Sequence, residues 1–195
     1  MSLVLASSSP YRRRLLERLR LPFRWEAPAL DERPLEAESG TQLARRLAVA
    51  KAAAVAALHP DAIVIGSDQV PCVEDRMLSK PGTPERATEQ LEQCSGQRVV
   101  FYTGLAVLAP NVEPLVEVVP YTAHFRTLQR PEIARYLALD EPYDCAGSFK
   151  WESLGIALFE RLEGDDPTAL EGLPLIALCD MLRQRGLNPL SSEAS

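Results

Sequence analysis

A chain of 195 residues suits one compact, two-lobed domain and can bury most of its apolar surface without disulfide staples. With 46% hydrophobic and 25% charged residues it falls outside the disordered class, and a net charge of -6 argues against a general nucleic-acid binder. No apolar run approaches the roughly 20 residues that span a bilayer, and the start of the chain has no long apolar signal region, so a protein without membrane segments is expected.

Ser2 to Ala6 reads as a short buried strand. Ser9 and Pro10 then supply the cap and first residue of a helix carrying Leu15, Leu16 and Leu19, which Pro22 ends. Arg12, Arg13 and Arg14 fall in its first turn, where cations oppose the helix dipole; the layout makes sense if an anion sits there. The plainer alternative is three long side chains fanning into solvent. A strand at Phe23 to Ala27 and a polar turn with Asp31 and Glu32 lead to Ser39-Gly-Thr-Gln42, which resembles a capping box. The helix it opens carries Leu43, Leu47, Ala50, Ala54 and Leu58 at helical spacing to about His59, with Arg45, Arg46 and Lys51 off that stripe.

Ala62 to Gly66 has the continuous apolar pattern of a strand buried on both faces, stopping at Gly66-Ser-Asp-Gln69, which puts Asp68 at a strand end. A hairpin around Glu74-Asp75, then a helix capped by Thr83 and Pro84 and ending near Gly96, follow. Arg98 to Leu108 and Leu115 to Leu128 read as adjacent antiparallel strands. A helix after Pro131, a turn at Cys145 to Lys150, a strand at Ile156 to Leu162 and a helix from Pro174 to Arg185 complete the order. Without regular βαβ alternation, the pattern predicts an α/β fold with a mixed sheet flanked by helices, over residues 1–190, and a loose tail at 191–195.

Ser7, Arg12, Glu32, Lys51, Asp68 and Lys80 all fall near predicted strand ends or a helix start, where ligands gather in open α/β sheets. Carboxylates with arginines and lysines are what a metal-bound polyphosphate requires, and two acids suffice for Mg²⁺, which keeps several waters. Each residue also has a plainer reading. Asp68 fits a turn-forming Asx residue, Glu32 and Lys51 fit solvated surface charges, and Lys80 before Pro81-Gly82 fits an ordinary loop. Nucleophilic schemes fare worse: neither His59 nor His124 pairs obviously with a thiol. Cys72, Cys94, Cys145 and Cys179 show no C-x-x-C spacing, which disfavours zinc and fits reduced thiols in the cytoplasm. Gly164-Asp-Asp-Pro167 reads as a turn rather than a cation site.

Leu5-Ala-Ser-Ser-Ser-Pro10, Gly66-Ser-Asp68, Lys80-Pro81, Ser95-Gly96 and Gly172-Leu-Pro174 occur in an order that resembles the Maf family of nucleotide pyrophosphatases over nearly the whole chain. Ile65-Gly-Ser-Asp-Gln69, Phe101-Tyr-Thr-Gly104, His124-Phe-Arg126, Cys145-Ala-Gly-Ser-Phe-Lys150 and Leu158-Phe-Glu-Arg-Leu-Glu-Gly164 are similar to the branch that hydrolyses 7-methyl-GTP.

The resemblance implies a cytosolic enzyme of inosine-triphosphatase-like fold, two-lobed with a cleft. It would split a nucleoside triphosphate between its α and β phosphates with a divalent cation, Mg, Mn or Co. Asp68 matches the family's proton acceptor; Ser7, Arg12, Glu32, Lys51 and Lys80 match its phosphate- and metal-handling positions, with Glu32 and Asp68 on the metal. Tyr11, Gln69 and Glu152 match the positions that sort bases, Tyr11 standing where related sequences carry Trp. A methylated, cationic guanine favours an aromatic face, and a carboxylate at Glu152 complements it. Other branches of the family use dTTP, UTP or CTP, and a non-catalytic nucleotide-binding regulator of septum formation is the further alternative. A homodimer is a family-based expectation; no nucleic-acid polymer and no membrane partner is expected.

Overall fold

The computed structural model describes residues 2–191; of the expected tail, 192–195 lie outside the described residues. Seven strands make one sheet: β1 (Leu3–Ala6), β2 (Arg24–Glu26), β3 (Ile63–Val73), β4 (Arg76–Met77), β5 (Arg98–Leu108), β6 (Leu115–Phe125) and β7 (Phe159–Glu163). The helices among the described residues are α1 (Pro10–Glu17), α2 (Gly40–Ala56), α3 (Pro84–Cys94), α4 (Arg130–Asp140) and α5 (Leu175–Gln184), with short 3-10 turns at Leu154–Leu158 and Pro167–Glu171. Strand order is β2, β1, β3, β5, β6, β7, with β4 paired to β3 off that path. β1 is parallel to β2 and β3, whereas β3 with β4 and β6 with β7 are antiparallel, so the mixed α/β expectation is met. No helix among the described residues is long and apolar enough to cross a membrane.

The chain divides into two compact units. Among the described residues, the first takes 2–69, Thr103–Val119 and 166–191; the second takes Val70–Tyr102 and Pro120–Asp165. In the first unit, side-chain alternation sorts the central strands onto two cores. Odd-numbered Leu3, Leu5, Ile63, Ile65, Leu105 and Val107 pack with Leu15 and Leu16 of α1 and Leu178 and Leu182 of α5. Even-numbered Val4, Ala6, Val64 and Ala106 pack with Ala48, Ala52 and Val55 of α2. Burial on both faces is why these strands read as unbroken apolar runs. The second unit has its own aromatic core, in which Phe101, Phe125, Phe149 and Phe159 meet edge to face at centroid distances from 4.8 to 5.7 Å.

α1 ends at Glu17 rather than near Pro22. The amides of Arg18, Leu19 and Arg20 bond to carbonyls three residues back, tightening the turn, and Arg20 takes a left-handed φ of 58°. The buried face of α2 also differs from the expected stripe. It consists of Leu43, Ala44, Leu47, Ala48, Lys51, Ala52 and Val55, while Leu58 is 64% exposed. Two glycines decide this. A Cβ on Gly66 would lie 2.2 Å from the Ala48 carbonyl oxygen, and one on Gly104 would lie 2.1 Å from that of Ala44. The helix therefore rests Ala44 and Ala48 against bare backbone of β5 and β3, with Leu43, Leu47 and Val55 buried beside them.

The capping box at Ser39 is present, with Gln42 N–H donating to Ser39 Oγ at 3.3 Å and Ser39 N–H to Gln42 Oε1 at 2.9 Å. Ser39→Ala should cost about 1 kcal/mol, read as a midpoint lower by roughly 2–4 °C in a thermal melt. β6 stops at Phe125, short of Leu128. β7 starts three residues later than expected, because Gly155 packs against the Lys150 carbonyl, where a Cβ would sit 2.2 Å from the oxygen, and the chain makes a 3-10 turn first.

Candidate functional site

β1 pairs with β3 only as far as Ala6 opposite Gly66. There β1 breaks: Ser7 N–H bonds back to Leu5 O at 3.0 Å, Ser7 Oγ accepts from Ser9 N–H at 3.1 Å, and Ser9 Oγ caps α1 by accepting from Arg12 N–H. β3 does not break. It runs on through Ser67, Asp68 and Gln69 to Val73, so Asp68 sits within a strand, two residues past the last β1 pairing, and not at the strand's own end. The Gly-Ser-Asp sequence reads as a turn locally, whereas β5 on the other edge continues the sheet.

Parity then aims the side chains. Asp68 shares the face of Val64 and Gly66, which is the α2 side, and there Lys51 meets it with Nζ 2.6 Å from Oδ1. Asp68 and Lys51 are both buried, at 7% and 5% exposure, so the sequence-based placement of Lys51 off the apolar stripe is overturned. It occupies the stripe because its ammonium has an acid to neutralise it there. The same Nζ lies 3.1 Å from Glu32 Oε1, whose side chain is 53% exposed. One ammonium thus bridges a buried and a solvated carboxylate.

Arg12 comes from the start of α1, and its Nε donates to Gly172 O at 2.7 Å. Gly172 has a left-handed φ of 97°, which favours glycine at the turn that presents its carbonyl to Arg12. Burial lowers the pKa of Arg12, while the charges of Asp68 and Glu32 pull it the other way. Arg12, Lys51, Asp68 and Glu32 are therefore one electrostatic cluster. The neighbouring arginines are not part of it. Arg13 stacks over Trp25 at 4.3 Å and Arg14 lies over the Tyr11 ring at 5.1 Å, so the expected three-arginine anion cradle reduces to Arg12.

Ser67 and Gln69 point to the opposite face from Asp68 and fasten the segment leading to α5. Ser67 Oγ lies 2.8 Å from Gly104 O and 2.9 Å from Gly172 O. Gln69 Nε2 donates to Ala169 O at 2.7 Å and Leu170 O at 3.1 Å and lies 3.2 Å from Thr103 Oγ1. The Gln69 amide nitrogen is thereby committed to the protein. Beyond that segment, buried Asp166 accepts from Thr168 N–H, Thr168 Oγ1 and Ile176 N–H, a structural cap where the sequence reads as a plain turn.

Lys80 and Glu152 belong to the second unit. Lys80 is exposed on the loop between β4 and α3, and Glu152 is exposed after Trp151. The Glu152 loop is braced: Lys150 N–H donates to Tyr136 Oη at 2.9 Å, Lys150 Nζ to Asp140 O at 3.0 Å, and Ser153 Oγ to Asp140 Oδ2 at 2.5 Å. Sequence reasoning did not single out Ser67, Thr103 or the Arg46–Glu38 pair. A hydroxyl inside an apolar strand was the one available signal for Ser67.

Among the described residues no three His, Cys, Asp or Glu side chains gather as a self-sufficient metal cage. The donor set instead suits a hard cation that takes one or two carboxylates and completes its shell with phosphate oxygens and water.

A mixed sheet flanked by helices, with an acid, an ammonium and a guanidinium gathered where one strand ends and its neighbour continues, places the chain among α/β proteins. The family model for Maf-like proteins matches residues 2–185, and the chain belongs to that family. The chain is 52% identical to proteins named 7-methyl-GTP pyrophosphatase from Pseudomonas putida and Pseudomonas aeruginosa, in each case over 95% of this chain and 97% of the relative. It is also 52% identical to one of the same name from Chromohalobacter salexigens, over 96% of this chain and 98% of the relative. Among solved structures, a nucleoside-triphosphatase described as a dITP/XTP pyrophosphatase from Mycobacterium abscessus is similar at 16% identity and a TM-score of 0.47, over 94% of this chain and 100% of that one.

Proposed function

We propose that this chain hydrolyses 7-methyl-GTP to 7-methyl-GMP and diphosphate with the help of a divalent cation, Mg, Mn or Co. The observation that carries the reading is the buried Asp68–Lys51 pair with Glu32 on the same ammonium, in a chain 52% identical to named 7-methyl-GTP pyrophosphatases. Asp68 accepts the proton of the water that attacks the α phosphorus; the bond from that phosphorus to the bridging oxygen breaks, and diphosphate leaves. Asp68 and Glu32 would hold the cation, which supplies charge neutralisation at the phosphates. Lys51 and Arg12 neutralise further charge, Lys80 adds to it, and the Ser7 turn donates hydrogen bonds.

Tyr11, Gln69 and Glu152 select the base. The Arg14 guanidinium lies over the Tyr11 ring at 5.1 Å, and in this reading a positively charged methylguanine takes its place on that electron-rich face. The carboxylate of Glu152 complements the base's N1–H and N2–H₂ edge. A homodimer belongs to the same reading, and so does a cytoplasmic location: Cys72, Cys94, Cys145 and Cys179 form no disulfide, and burial pushes the Cys72 and Cys94 thiols up to about 11 and 12, as inert buried thiols.

The test is diphosphate release from 7-methyl-GTP, GTP, dTTP, UTP and CTP with Mg²⁺, Mn²⁺ or Co²⁺. Fastest release from 7-methyl-GTP is expected, and chelation with EDTA should abolish it. Preference for a pyrimidine nucleotide overturns the base assignment, and no release from any nucleotide favours the binding regulator.

A further inference from the structure

Glu32 stands on a segment, 27–38, that forms no helix or strand, yet its carboxylate must meet Lys51 with a definite geometry. Arg46 of α2 provides the hold. Its Nε donates to Glu38 Oε1 at 2.7 Å, one terminal nitrogen donates to Glu38 Oε2 at 2.8 Å, and the same nitrogen donates to the carbonyl of Arg33 at 3.0 Å. Glu38 in turn folds the segment on itself: its Oε2 accepts from Leu35 N–H at 3.0 Å, and its own N–H donates to Leu35 O at 3.2 Å. The Asp31–Arg33 pair is local to the segment and does not tie it to the helix. Arg46 therefore grips the chain at Arg33, the residue after Glu32, and again at Glu38, from the same helix that presents Lys51.

We infer that Arg46 and Glu38 form a latch that positions Glu32 for the cation and triphosphate, so that Arg46 is a positioning residue for the reaction although it touches neither. This rests on the nucleotide reading above. The fork geometry is what qualifies it: a guanidinium can take both carboxylate oxygens and a carbonyl at once, which an ammonium cannot. The hydrogen bonds from Arg46, with a smaller one from Leu35, also hold the Glu38 carboxyl below its ordinary pKa against the burial that raises it.

Arg46→Ala, Arg46→Lys and Glu38→Gln test it, alone and combined with Glu32→Gln. Residues supporting a metal ligand typically matter by about 10- to 100-fold, and that loss is expected in kcat/KM, carried by KM and by the cation concentration needed for half-maximal rate. Arg46→Lys should keep the defect because charge alone does not rebuild the fork. In the Glu32→Gln background the latch substitutions should add little further loss. Hydrogen exchange of the 33–38 amides should quicken in all three single variants, a readout that needs no turnover. Full activity in Arg46→Lys, or losses that multiply with that of Glu32→Gln, would overturn the latch. An inactive wild-type chain would instead overturn the nucleotide reading, while the exchange measurement still decides whether Arg46 and Glu38 hold the segment.

Discussion

Asp68→Asn should leave a folded protein whose diphosphate release from 7-methyl-GTP falls by about 10²- to 10⁴-fold, the usual worth of a positioned general base. The substitution is nearly isosteric. Asparagine keeps an oxygen for the Lys51 ammonium now 2.6 Å from Oδ1, and Lys51 retains Glu32 at 3.1 Å, so no buried cation is left without an acid. What disappears is the negative charge that would accept water's proton and help hold the cation. Excess Mn²⁺ should not restore the rate, since the proton acceptor is missing as well as a ligand. Circular dichroism and a melt confirm folding; a folded variant within about threefold of wild-type kcat would remove Asp68 from the chemistry.

The order of the elements was legible because each carries a local signal: a Ser-Pro cap at α1, a capping box at α2, the Glu74-Asp75 turn before β4, unbroken apolar runs where both faces of the sheet are covered. The chemistry-bearing types were legible too, since Ser7, Arg12, Glu32, Lys51 and Asp68 all fall in the first unit and four of them interact. What escaped was anything decided by a partner distant along the chain. Lys51 reads as a surface lysine until Asp68, seventeen residues away, is seen facing it. Asp68 reads as a turn residue because the break belongs to β1, not to the strand that carries it. Arg13 and Arg14 read as an anion cradle because nothing local announces that Trp25 and Tyr11 supply flat faces for them. Arg46 reads only as a residue off the apolar stripe, and its grip on Arg33 O and Glu38 emerges only when the preceding segment folds back along α2.

Gly66→Ala should be strongly damaging to the first unit, because the new Cβ would meet backbone that cannot swing aside. It would lie 2.2 Å from Ala48 O, 2.7 Å from Ala52 N and 2.8 Å from Ala52 Cβ. Overpacking a core typically costs 1–3 kcal/mol, and a clash with helix backbone belongs at or above the top of that range, so about 3 kcal/mol is expected in urea denaturation. Relief requires α2 to back away from β3. That motion carries Lys51 off Asp68, so activity should fall even at temperatures where the variant stays folded. Gly104→Ala presses the same helix one turn earlier, 2.1 Å from Ala44 O, and should do likewise. A Cβ at Gly82, by contrast, meets nothing within 4 Å, so Gly82→Ala bears only the strain of a 72° φ and serves as the control. If Gly66→Ala were as stable as Gly82→Ala and fully active, α2 would not be seated on bare strand backbone, and the close approach that delivers Lys51 to Asp68 would lose its cause.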